Sequence, residues 1–114
     1  ALFACENDDS YVGIGVEEPS VALNPKGDSV IVKTKGGFWT VYAVYEEIAD
    51  TIVEHVNRDF LDTVLINGFT IIKMDKNVFV KVDPNNTGGD RKINIKLMKA
   101  HNQDYLTITQ AKNE

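Results

Sequence analysis

Apolar and polar residues alternate with a period of two along most of the chain. Val78, Val80 and Val82 share one side of a short run, as do Ile93, Ile95 and Leu97, and later Leu106 and Ile108. Half-buried antiparallel strands have this pattern, one face packed and one solvated. It predicts strands over residues 78–82, 92–98 and 105–110. The same reading gives strands over 21–23, 29–35, 38–45 and 69–74. In 29–35, Val30, Val32 and Thr34 oppose Ile31, Lys33 and Lys35. Turn chemistry separates the runs: Asn24-Pro25-Lys26-Gly27-Asp28, Gly36-Gly37, Asp75-Lys76-Asn77 and a longer loop over 84–90. In 38–45, alternation sends Trp39, Val41 and Ala43 to one face and Phe38, Thr40 and Tyr42 to the other. Trp39 is therefore expected in the core. Phe38 and Tyr42 are expected outward, about 13–14 Å apart by strand rise.

One segment departs from this period. Ile48, Ile52, Val53, Val56, Phe60 and Leu61 recur at helical spacing. Asp50 would cap such a helix, and Glu54 and Arg58 would form a favourable i, i+4 pair. The spacing predicts an amphipathic helix over about residues 48–61, followed by a strand over 63–66. The alternative is a pair of short strands, because Ile52-Val53 and Thr63-Val64-Leu65-Ile66 both have β propensity. Short strands at regular intervals indicate an all-β fold, an immunoglobulin-like β-sandwich with one short inserted helix.

The chain has 114 residues, 43% hydrophobic and 25% charged, which suits one domain with an ordinary core. A net charge of −5 argues against a nucleic-acid partner and against a basic patch on an anionic membrane. Candidate catalytic chemistry is sparse. His55 and His101 sit in no metal motif, and no serine has a glycine-flanked elbow. Glu46 and Glu47, or Asp59 and Asp62, are carboxylate pairs better explained as solvated faces. Asp83, Asn85 and Thr87 open with the rhythm of a calcium loop. However, its twelfth position is Asn94, where a bidentate Glu is required. No enzyme activity, cofactor or metal is expected.

Two family resemblances add to this. Leu2-Phe3-Ala4-Cys5, followed by Glu6-Asn7-Asp8-Asp9, resembles the lipobox of bacterial lipoproteins. The resemblance implies that Ala1–Ala4 is the tail of a signal segment and that Cys5 carries a lipid anchor. Acidic residues after the cysteine resemble the surface-export signal of Bacteroidetes lipoproteins, which implies an outer-membrane or cell-surface location. Residues 1–20 then read as lipobox remnant and acidic tether, and 21–114 as the domain. Asp28-Ser29-Val30, Asp50-Thr51-Ile52 and Asp62-Thr63-Val64 resemble the O-glycosylation consensus of such envelope proteins.

The domain itself resembles the BACON family. The residues that carry this are Gly37-Phe38-Trp39-Thr40-Val41, then Val80-Lys81-Val82-Asp83-Pro84-Asn85-Asn86-Thr87-Gly88, then Arg91 leading into Ile93-Asn94-Ile95. The closing Tyr105-Leu106-Thr107-Ile108-Thr109-Gln110 completes them. The resemblance implies an immunoglobulin-like, non-catalytic module with a glycan or polysaccharide, such as mucin, as its partner. Phe38 and Tyr42 are the candidate carbohydrate-binding residues. The runner-up is a protein-interaction or spacer subunit of an envelope assembly.

Overall fold

The computed structural model describes residues 13–113. Cys5 and the acidic residues after it, read above as anchor and export signal, lie outside the described residues.

The described residues form nine strands: β1 (Ser20–Leu23), β2 (Asp28–Lys33), β3 (Thr40–Ile48), β4 (Thr51–Val56), β5 (Thr63–Ile66), β6 (Phe69–Met74), β7 (Asn77–Val82), β8 (Arg91–Lys99) and β9 (Asn102–Gln110). They make a β-sandwich of two sheets. One runs β1-β9-β8-β3-β4 and the other β2-β7-β6-β5. All pairings are antiparallel except β1 with β9. Val32, Val78, Val80, Val82, Phe69 and Ile71 from one sheet meet Val41, Val44, Ile93, Ile95, Leu97, Leu106 and Ile108 from the other. The inward positions read from alternation in β2, β7, β8 and β9 are those that pack.

Trp39 is fully buried, as its face predicted. Its indole N–H donates to Thr34 Oγ1 at 2.9 Å, and that hydroxyl donates to the Lys76 carbonyl at 2.8 Å. The polar tip of a large core residue is thereby satisfied. Residues 14–17, from the stretch read as a tether, lie against the body. Ile14 is buried, and Val16 bridges Thr34 next to the end of β2.

The inserted helix is not present. β3 runs on to Ile48, turns through Ala49 and Asp50, and returns as β4 in register from Ile48–Thr51 to Ala43–Val56. Ile48, Thr51, Ile52, Val53 and Val56 are β-branched, which disfavours a helix and suits a strand. β3 already pairs with β8 on its other side, so β4 extends a template that exists. Asn57 then closes the segment. Its carboxamide nitrogen donates to the carbonyls of Val41 (2.9 Å) and Leu61 (3.0 Å), and its oxygen accepts from the Leu61 N–H (3.1 Å). Asp50 and Glu54-Arg58 therefore play no helical part.

Candidate functional site on the outer face of the five-stranded sheet

A β-bulge in β3 decides which aromatic side chains reach the surface. Val41 pairs with Leu97 and Ala43 with Lys96, leaving Tyr42 as the extra residue. A bulge sets two residues against one and resets the alternation that follows. Ala43 sits opposite Lys96 and Val56 rather than in the stack with Trp39 and Val41, while Val44 and Glu46 turn inward. Tyr42 lies under Lys96, whose Nζ is 5.1 Å from the ring centroid. Tyr45 lies beside Asn94, and Tyr105 beside Lys96.

These residues compose an amphipathic surface. Tyr42 and Tyr45 are half-buried, and Tyr105 is 40% exposed. Tyr45 donates its phenol hydrogen to Glu54 Oε2 at 3.1 Å. Burial first, and the Glu54 hydrogen bond second, push the Tyr45 phenol above its ordinary pKa; Tyr105 and Tyr42 add to this. Thr107 donates to Asn94 Oδ1 at 2.7 Å. Glu47 and Lys92 pair at 3.4 Å at one margin. The face thus offers aromatic rings with amide, hydroxyl, carboxylate and ammonium groups around them.

Of the two residues singled out from sequence, the structure brings only Tyr42 to this face. Phe38 precedes β3, has a φ of 65° and is 90% exposed in the loop. The strand spacing expected between Phe38 and Tyr42 does not exist, because Phe38 is outside the strand and a bulge intervenes. Tyr45 was not singled out, since uninterrupted alternation would turn it inward. Tyr105 enters the sequence reading only as the start of the closing motif, because its neighbours on this face are distant in sequence.

The other polar groups serve the architecture. Glu46, 7% exposed at its side chain, accepts from Asn67 Nδ2 at 2.7 Å and meets His55 Nε2 at 3.1 Å and the Arg91 guanidinium at 3.5 Å. Arg91 donates to the Asn67 carbonyl at 2.6 Å and lies 4.5 Å over the Phe69 ring. This network ties β3, β4 and β8 to the β5–β6 turn at one end of the sandwich. Glu47 faces out while Glu46 faces in, so the two are not a carboxylate pair. Asn85, within the calcium-like rhythm, spends its carboxamide on the loop: Nδ2 on Gly89 O and Ala111 O, and Oδ1 on Thr87. Nearby, a cleft of about 520 Å³ is lined by Leu23, Ala49, Arg91 and Gln110. Gln110 Nε2 bridges the carbonyls of Asn24 and Asp83, holding the ends of the two sheets together.

No protein-family model matches the chain, and no curated protein matches its sequence. Solved structures do share its fold. A Bacteroides thetaiotaomicron protein determined by NMR superposes with a TM-score of 0.68 at 14% identity, covering 91% of this chain and 86% of that one. A Bacteroides ovatus GH5 xyloglucanase, solved in complex with a XXXG heptasaccharide, superposes with a TM-score of 0.52 at 9% identity. There the match covers 89% of this chain and 19% of the xyloglucanase. At these identities the likeness is one of fold: this β-sandwich recurs in Bacteroides proteins.

Proposed function

We propose that this chain is a non-catalytic, glycan-binding module of a Bacteroidetes-type cell envelope, an immunoglobulin-like BACON-type sandwich anchored by a lipid on Cys5. The observation that carries the binding reading is the tyrosine face. Tyr42, Tyr45 and Tyr105 stand on one rigid sheet surface beside Asn94, Lys96, Thr107 and Glu54. A sugar ring presents an apolar C–H face and a polar edge. A tyrosine face with flanking amide and hydroxyl groups matches both, and rigid strands cost little ordering entropy on binding. The sandwich topology and the buried tryptophan directly before the third strand support the immunoglobulin-like reading. The motifs around Trp39, Asn85, Arg91 and Gln110 support the family reading, and the fold shared with a region of a Bacteroides xyloglucanase supports the sandwich. Export to the outer membrane or cell surface rests on the lipobox-like tetrapeptide and the acidic residues behind it.

The test is a glycan array that includes mucin O-glycans and plant polysaccharides, probed with the chain carrying Cys5→Ser. Tyr42→Ala combined with Tyr105→Ala should lower binding at least tenfold, about 1.4 kcal/mol. Phe38→Ala should leave it unchanged. Binding that survives the double substitution, or that depends on Phe38 alone, places the ligand elsewhere and refutes this surface.

A further inference from the structure

We propose that β4 is a dimerisation edge, on which two copies of this chain join by antiparallel pairing of β4 with its symmetry mate into one continuous ten-stranded sheet. An open sheet edge invites pairing, and proteins usually guard against it. Among the described residues, three of the four edges are guarded. β1 has four residues and is flanked by Pro19 and Pro25. β2 is met at its end by residues 14–17, with Glu17 N–H on Lys33 O and Val16 bridging Thr34. β5 has only four residues. β4 has six, Thr51-Ile52-Val53-Glu54-His55-Val56, with no proline, no lysine and no bulge.

The side chains around this edge are the wrong ones for solvent. Five of the six apolar residues that gave the segment its helical spacing are exposed: Ile48, Ile52, Val56, Phe60 and Leu61. Leu65 on neighbouring β5 is 73% exposed. A groove of about 390 Å³ between the two strands is lined by His55, Val56, Leu61, Val64 and Leu65. Ile52 and Val56 share the outer face of β4, and exposed apolar side chains grouped at an open sheet edge mark an interaction site.

The edge is complementary to itself. In an antiparallel pair, directly opposed residues share a face, so a two-fold axis must pass through a residue. With Val53 on the axis, Ile52 lies opposite the Glu54 stem of the second copy, and Thr51 opposite its His55. Arg58 approaches the turn that carries the second copy's Asp50. Moving the axis to Glu54 would oppose two carboxylates, which is unfavourable. Val53 is thus the register the charges favour.

The test is sedimentation equilibrium of the full chain with Cys5→Ser, at micromolar concentration. The expected mass is twice that of the monomer. Ile52 is 63% exposed but faces Glu47 on β3 within its own chain, so the fluorescence of the buried Trp39 is used to check that each variant keeps the fold. Ile52→Glu opposes carboxylates at both symmetric positions and should weaken the dimer at least tenfold. Ile52→Lys sets a lysine opposite Glu54 and should retain it. Opposed Cα atoms lie about 4.5–5.5 Å apart, within the ~4.4–6.8 Å of a disulfide. Val53→Cys should therefore crosslink readily under mild oxidation, and Glu54→Cys should crosslink far more slowly. A monomeric parent chain overturns the proposal. So does a dimer indifferent to Ile52→Glu, or one that crosslinks through Glu54→Cys in preference to Val53→Cys.

Discussion

Replacing Asn57 with alanine separates the two structures that the apolar pattern of residues 48–61 allows, because they predict opposite signs. In a helix, alanine is favoured over asparagine by roughly 0.5 kcal/mol, so the change would be mildly stabilising. In the observed fold Asn57 is 8% exposed and its side chain makes three hydrogen bonds. Each such bond contributes about 1 kcal/mol net. Leu61 is exposed, so its N–H and carbonyl recover much of their loss from water. The Val41 carbonyl bonds Asn57 in a buried contact next to the bulge, and an orphaned buried acceptor costs about 1–3 kcal/mol. The expected loss is about 2–3 kcal/mol. For a domain of this size, that lowers the melting temperature by roughly 8–20 °C. Trp39 is the only tryptophan and is fully buried, so its fluorescence reports global unfolding in a urea titration. An Asn57→Ala chain as stable as the parent, or more so, would refute the role assigned to this side chain and the strand-and-turn account of the segment.

Two predictions concern titration. The backbone N–H groups of Asn24 and Ser29 hold the Asp28 carboxylate below its ordinary pKa, so it stabilises the fold above the unfolded-state value near 3.8. That contribution is lost as pH falls through the lowered folded value, and Asp28→Asn should flatten the acid limb of an unfolding-midpoint profile between neutral pH and acid. The Tyr45 phenol is raised by burial and then by Glu54, so Glu54→Gln should bring its absorbance titration part of the way back toward 10. No movement would mean that the 3.1 Å contact does not persist in solution.

Where strand pairing is regular, the sequence was legible. The alternating valines of β7 and the isoleucines of β8 pack inward as their spacing indicates, and Trp39 is in the core. The failures have physical causes. The bulge at Tyr42 depends on how β3 meets β8, more than fifty residues downstream, and nothing local announces it. It reverses the facing of Val44, Tyr45 and Glu46, so the candidate face was misread at one of its three rings. The segment over 48–61 carries apolar residues compatible with both periods. Pairing with β3 decided for the strand, against a cap and an ion pair that only a helix would use. Phe38 alternates correctly on paper but falls before the first paired residue. Asn57 carried no local signal at all, since its partners are set by the bulge and the turn.

The tyrosine face and the β4 edge belong to the same sheet, and this links their consequences. A two-fold axis through Val53 runs normal to the sheet, because directly opposed residues of antiparallel strands share a face. Both copies of Tyr42, Tyr45 and Tyr105 then lie on one side of the joined sheet. Two sites held rigidly on one surface bind a repeating polysaccharide with an avidity far above that of either alone, by about 10²–10⁴ where the spacing allows both to engage. A short oligosaccharide reaches one site only and gains nothing. Ile52→Glu should therefore weaken binding to a long polysaccharide while leaving affinity for a short fragment unchanged, whereas Tyr42→Ala with Tyr105→Ala should lower both. Equal losses on long and short ligands after Ile52→Glu would mean that residue 52 touches the sugar itself. The tyrosine face would then extend onto β4, and that strand would be an extension of the site in place of a joint between copies.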